Sequence, residues 1–343
     1  MTKRTSNIEV LRIVAMLMVM LIHTGFMSFG VPTASDMTGK PYLSSLIFSN
    51  MSLCTPCVNI FILISGWFGI NMRLNKLAVL IFQAYFFSVI CTFIYLFINQ
   101  KEFTTDVLFR LLLLNGEDYW FVKSYILLML LSPMINSFIE HSDGKILFTF
   151  LTIFYLTQTI FGWMSIDGIS DFHGGYSVLS FIGLYVLGRA LRLFNGKKKF
   201  FCLKPIAYFS FFVAIALIQF CMAVFVTLYG FDIAGRIFTY TNPLVILQSV
   251  CILLAFTNMK PFFHKTINWI ASSCLAVYLF HANSLILRPY YAKAIRDYFN
   301  NNNIYNAIIY ASATIILVFA ISILIDKIRT HIWNKIAVIL KTK

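Results

Sequence analysis

A carboxylate, a guanidinium and an imidazole stand together in one apolar run. The stretch "IEVLRIVAMLMVMLIHTG", Ile8 to Gly25, carries Glu9, Arg12 and His23. These side chains supply an anion, a permanent cation and a base whose ordinary pKa, near ~6.5, lets it exchange a proton at neutral pH. Arg12 and His23 are 11 residues apart. On an α-helix that spacing is three turns plus about 20°, with roughly 16 Å of rise, so both fall on one stripe near opposite ends of the same helix. Glu9 lies one turn below Arg12 and can pair with it, which lowers the cost of carrying either in a membrane. A simpler account stays open, in which Arg12 snorkels to the inner headgroups and His23 bonds neighbouring backbone.

The elements that must position these groups follow from composition. Of 343 residues, 59% are hydrophobic and 12% charged, with a mean hydropathy of +0.81, 36 Phe and 17 Tyr. Soluble domains carry about 25% charged residues, so this is a polytopic membrane protein. Apolar runs long enough to span a bilayer number ten: roughly 8–28, 49–70, 77–98, 119–139, 146–163, 177–194, 205–229, 237–257, 268–288 and 305–325. The expected fold is all-α, with about ten transmembrane helices, both termini cytoplasmic, and residues 1–343 forming a single transmembrane domain. The first run is read as a retained span rather than a cleaved leader, since it lacks a small-residue cleavage site.

Charge supports that orientation. Eighteen of the 27 Lys and Arg fall on the expected inner side, including "NGKKK" and the tail "DKIRTHIWNKIAVILKTK", and nine of the 13 acids fall outside. This is the positive-inside pattern. The formal charge of +14 therefore mostly reports topology, and with no binding motif or soluble module nucleic acid is not an expected partner. Seven scattered Cys do not suggest a disulfide framework. Cys54 and Cys57 form a lone C-x-x-C without two further zinc ligands nearby. They read as small residues in a helix, with a redox pair as the alternative, and no metal is expected.

Further polar groups lie along the other spans. "VNIFILISGWFGINMRLNKL" places Asn59 mid-membrane, Ser65 deeper, and Arg73 and Lys76 at the inner surface. Taken alone, Arg73 and Lys76 read as topology charges. "SSCLAVYLFHANSL" places His281 at a depth similar to that of His23, so the two could meet in one cavity; a helix-packing histidine is the alternative.

Arg12-x10-His23 resembles the first-span motif of the acyltransferase family 3 membrane proteins, which include O-acetyltransferases of bacterial surface polysaccharides. The resemblance extends through "EVLRIVAMLMVMLIH", "VNIFILISGWF", "YWFVKSYILLMLLSP" and "SSCLAVYLFH", four blocks in family order. It implies that His23 is the essential histidine, with Arg12 its partner and Glu9 beside it in the catalytic group. Arg73-Leu-Asn-Lys76 looks like the family's R-x-x-R element on the acyl-CoA side, with Lys in the second place, and Ser65 joins this donor-binding group. Asn59 stands where many members have Asp, and Trp120 belongs to the fourth-span block. These two and His281 are expected to support the substrates. With no stretch resembling the esterase-like domain fused to certain members, the chain is expected to use only the membrane module.

The resemblance implies an inner-membrane enzyme that moves an acetyl or other acyl group from cytoplasmic acetyl-CoA to a hydroxyl of a cell-surface or lipid-linked sugar. The expected partners are the lipid bilayer, acyl-CoA and a saccharide acceptor. Such transfer needs a base for the hydroxyl and stabilisation of the developing oxyanion. His23 serves either as that base or as a covalent acyl carrier. The rival reading is a transporter or flippase for a lipid-linked saccharide, which would also bury charges along its pathway.

Overall fold

The computed structural model describes residues 5–100, 102–113, 119–164, 171–196 and 202–341. It is 83% helix, with no strand among the described residues. An all-α architecture is what these apolar runs require, because in a bilayer a helix satisfies its backbone N–H and C=O groups within its own segment. The main helices are α1 (Ser6–Phe29), α2 (Pro41–Cys54), α3 (Cys57–Phe68), α4 (Leu74–Asn99), α5 (Trp120–His141), α6 (Gly144–Thr157), α7 (Val178–Phe194), α8 (Pro205–Leu228), α9 (Pro243–Thr257), α10 (Cys274–His281) and α11 (Ile304–Lys341). The chain divides into two compact units, Met1–Met72 with Lys123–His264 and Arg73–Val122 with Lys265–Lys343.

Seven helices among the described residues are long and apolar enough to cross a membrane: Ser6–Phe29, Pro41–Phe68, Leu74–Asn99, Trp120–His141, Gly144–Met164, Pro205–Leu228 and Ile304–Ile339. Lys265–His281 and Ser284–Asn301 make an eighth if this pair, bent by 58°, is one broken span. The run 177–194 becomes α7, with 17 residues, and 237–257 becomes α9, with 15. α9 is short for a local reason. Asn242 accepts the Leu244 N–H on its side chain at 2.9 Å and Pro243 fills the first helical position, so the helix begins there. The run 268–288 breaks where Asn283 caps Leu285 N–H at 3.0 Å. α11 is longer than its expected span, carrying the basic tail on as helix to Lys341.

In the first unit, α1 begins against the segment that follows α9. Ser6 N–H donates to Phe262 O at 2.8 Å, His264 N–H to Ser6 Oγ at 2.7 Å, and Asn7 Nδ2 to Phe256 O at 2.8 Å. α1 ends at Gly30, whose φ of 77° lets its N–H reach back to Phe26 O at 2.7 Å. The loop beyond is set by a capping box between Thr33 and Asp36. Hydrogen bonds from Thr33 hold the Asp36 carboxyl below its ordinary pKa. Pro56 lies at the break between α2 and α3.

α3 and α7 meet backbone to backbone. A Cβ at Gly66 would lie 2.2 Å from Tyr185 O, and one at Gly188 would lie 2.4 Å from Leu63 O. Membrane helices approach this closely only through small residues. Buried amides join further helices: Gln219 Nε2 donates to Gln248 Oε1 at 2.9 Å, and Gln248 Nε2 to Ser52 O at 3.0 Å.

In the second unit, Gln83 Nε2 on α4 donates to Asp326 Oδ1 on α11 at 2.9 Å, and Arg329 Nε pairs with the same oxygen at 2.8 Å. Tyr119 OH donates to Leu279 O at 2.8 Å and accepts from Asn283 Nδ2 at 2.9 Å. These bonds satisfy polar groups that would each be costly if left unpaired in an apolar interior.

Candidate active site

α1 is uninterrupted from Ser6 to Phe29, so the spacing of Glu9, Arg12 and His23 keeps its helical meaning. Arg12 Nη1 donates to Glu9 Oε1 one turn away. The pair is asymmetric: Glu9 is buried, while the Arg12 side chain keeps 28% of its surface. A carboxylate in the first turn also favours the positive end of the helix dipole. Glu9 Oε2 is buried and has no hydrogen-bond partner among the described residues. His23 is half-buried toward the far end of the same helix.

On α3, Asn59 is fully buried. Its Nδ2 donates to Tyr240 O at 3.0 Å, tying α3 to the turn that precedes α9. The same turn is held from its other side by Tyr240 N–H, which donates to Gly174 O at 3.1 Å. Asn59 Oδ1 has no partner among the described residues. The Tyr240 carbonyl can only accept, so this position calls for a donor. An amide supplies one where a carboxylate cannot. Ser65 Oγ donates to Phe61 O at 2.9 Å and lies 3.2 Å from Tyr125 OH. Its hydroxyl proton is thus turned toward its own helix.

The turn after α3 was not visible in the sequence as a built feature. Gly69 has a φ of +78°. The next residue, Ile70, donates its N–H to Tyr185 OH at 2.8 Å, and its carbonyl accepts from Asn136 Nδ2 at 3.0 Å. Tyr185 OH donates in turn to Asn136 Oδ1 at 2.7 Å. Next to this ring, Arg189 Nη1 lies 3.6 Å from where a Cβ of Gly69 would be. Arg192 sits over the Trp67 ring with 5.3 Å to its centroid. Arg189 and Arg192 are three residues apart at the end of an apolar run, and from sequence they count only as inner-side topology charges.

The second unit holds the remaining expected residues. Arg73 is the exposed N-cap of α4, and its carbonyl accepts the N–H groups of Lys76 and Leu77 at 2.9 and 3.1 Å. Lys76 is exposed in the first turn. Two cations at a helix N-terminus oppose the dipole, and an anion bound there would relieve both. Trp120, half-buried at the start of α5, meets Phe121 edge to face with centroids 6.0 Å apart. His281 is fully buried, with Nδ1 2.6 Å from Val277 O. A carbonyl cannot donate, so Nδ1 carries the proton in that contact. Glu9, Arg12, His23, Asn59 and Ser65 thus belong to the first unit, and Arg73, Lys76, Trp120 and His281 to the second.

Chemically, the first unit offers a paired cation and an imidazole on one helix, and the second offers exposed cations at a helix start. The family model described as an acyltransferase domain, acyltransferase family 3, matches residues 5–327. No curated protein and no solved structure matches the chain.

Proposed function

The chain belongs to acyltransferase family 3, and we propose that it moves an acetyl group from cytoplasmic acetyl-CoA to a hydroxyl of a cell-surface or lipid-linked sugar. It would do so as a multi-pass protein of the inner membrane, with ten spans and both termini in the cytoplasm. The observation that carries this reading is the continuous α1 helix, which bears a bonded Glu9–Arg12 pair in its first turns and His23 three turns beyond. The span Ile304–Ile339 also carries an ion pair, Asp326–Arg329, and a histidine, His331, but there the histidine lies two residues from the pair rather than three turns along the helix.

In the proposed reaction, neutral His23 takes the proton of the acceptor hydroxyl as its oxygen attacks the thioester carbonyl. The carbon–sulfur bond then breaks, and the CoA thiolate leaves and takes up a proton. The products are an acetyl ester and CoA. Arg12, paired with Glu9, draws the anionic donor along the α1 stripe. Arg73 and Lys76 attract its phosphates, Arg as a fork and Lys as a point charge. Ser65 adds to donor binding, and Asn59, Trp120 and His281 support the substrates.

The test has two arms. Purified protein in lipid nanodiscs is given acetyl-CoA and an oligosaccharide mixture, and CoA release is followed together with acetylated product. Surface glycans from cells with and without the protein are then weighed by mass spectrometry. A mass difference of one acetyl group supports the reading. Unmodified glycans together with no CoA release would refute it and favour saccharide transport. Rapid CoA release on mixing with donor alone would mark a covalent acetyl–enzyme and replace the base role of His23.

A further inference from the structure

We infer that Arg189 and Arg192, beside the Gly69 turn, form a phosphate-binding site for the donor, additional to Arg73 and Lys76. This rests on the acetyl-CoA reading above.

Arg189 is half-buried on α7, yet among the described residues it has neither a carboxylate partner nor a hydrogen-bond acceptor. A guanidinium carries five N–H donors in a fixed fork, and those of Arg189 are not sealed away from solvent, so a ligand can reach them. Its surroundings do not explain it as packing. The nearest phenol, Tyr185 OH, already donates to Asn136 and accepts from Ile70. The position facing Arg189 Nη1 is a glycine with φ +78°, where a Cβ would stand 3.6 Å from that nitrogen. A side chain there would be both strained and in the way of anything approaching the fork.

Arg192 adds a second cation on the same helix face, since residues three apart are neighbours. Its Cζ lies over the Trp67 ring, 5.3 Å from the centroid, a contact with the ring that uses no hydrogen-bond acceptor. The edge N–H groups, which bind phosphate oxygens bidentately, remain suited to a ligand. The support beneath is rigid. Gly188, next to Arg189, touches the α3 backbone, and the Tyr185–Asn136–Ile70 ring fixes the turn. One fork facing a glycine turn, with a second cation three residues on over Trp67, suits a ligand with adjacent phosphates, which acetyl-CoA carries and an acceptor sugar lacks. In the proposed topology they also stand on the cytoplasmic side, where the donor is. The phosphate of an anionic lipid shares this chemistry, and the experiment separates the two.

The full chain is purified into phosphatidylcholine nanodiscs, and calorimetry compares coenzyme A with pantetheine, which has the same arm but no phosphates. We expect the wild type to prefer coenzyme A. Arg189→Gln should lower that preference by about tenfold or more, as loss of a charge-assisted bond implies, while pantetheine affinity stays constant. Arg189→Lys should restore part of it. Arg192→Gln, an exposed change that leaves the fold intact, should lower the preference by a smaller factor. If the wild type binds coenzyme A and the folded variants keep the same preference, the site is not there, although the acetyl-CoA reading stands. If the wild type binds no coenzyme A, that reading fails with it. If instead the variants lose only affinity for phosphatidylglycerol added to the nanodiscs, the arginines hold a lipid phosphate and the inference is overturned.

Discussion

Tyr185 on α7 and Asn136 on α5 face each other across a 2.7 Å hydrogen bond in which the phenol donates to Oδ1. Both also hold the Ile70 peptide, one at its N–H and the other at its carbonyl. The turn that ends α3 is therefore set by side chains 115 and 66 residues away in sequence. Tyr185→Phe keeps the ring but strands the Ile70 N–H and Asn136 Oδ1. Both groups are half-buried, so each left unpaired costs toward the low end of about 1–3 kcal/mol. The variant should unfold several degrees below wild type in a fluorescence melt in detergent. An unchanged melting temperature would show that water or detergent replaces both bonds without loss.

The α1 stripe can be tested by register. One Ala inserted between Met16 and Leu17 keeps every ionisable residue and a span-length helix. It turns His23 by about 100° relative to Arg12 and moves it by about 1.5 Å. Misplacing a reacting group by about 1 Å can cost roughly a hundredfold in rate. Transfer should fall to the level of His23→Ala while expression and insertion persist, with Leu17→Met as a control that preserves register. Near-native turnover in the insertion variant would leave the charges as packing and snorkelling groups.

Asn59→Asp exchanges a donor for a carboxylate facing the Tyr240 carbonyl. The 3.0 Å bond is lost, and two oxygens are left opposed in a fully buried position, a penalty of about 1–3 kcal/mol or more. Lower stability and faster proteolysis of the loop before α9 are expected. Asn59→Gln, which keeps a donor at the wrong reach, should fall between the two. Equal stability of the Asp variant and wild type would mean that the bond to Tyr240 contributes nothing.

On the donor side, Arg73→Ala removes a cation from the start of α4 and relieves its clash with the helix dipole. The protein should be as stable as before or slightly more so, but its apparent KM for acetyl-CoA should rise by roughly ten- to a hundredfold, corresponding to about 1.5–3 kcal/mol. An unchanged KM would return Arg73 to a topology charge.

Much of this was legible because the sequence makes charge conspicuous in an apolar background. Glu9, Arg12 and His23 stand out in α1, and one turn of spacing suffices to infer the bonded pair. The α9 start at Asn242-Pro243 was missed, because the apolar residues from 237 onward carried the expected span past that signal. Long-range partners were not legible. The bond from Asn59 to Tyr240 joins residues 181 apart, and its acceptor is a backbone carbonyl that no side-chain pattern reveals. Tyr185 escaped notice because composition counts tyrosine as apolar, although its hydroxyl organises the Gly69 turn. Arg189 and Arg192 were hidden by their position at a span end, where positive charge is what topology leads one to expect.

The backbone contact between α3 and α7 also restricts how the protein can move. One element ratcheting past another advances by a helical turn, about 5.4 Å. Such a step would replace Gly188 beneath Leu63 O with Leu184 or Arg192, and neither fits where even a single Cβ would come within 2.4 Å. α3 and α7 must therefore travel as one body through any catalytic cycle. Motion that admits or releases a substrate has to arise at their flanks, because the helix interface is closed by backbone contact and the turn after Gly69 is held by Tyr185 and Asn136.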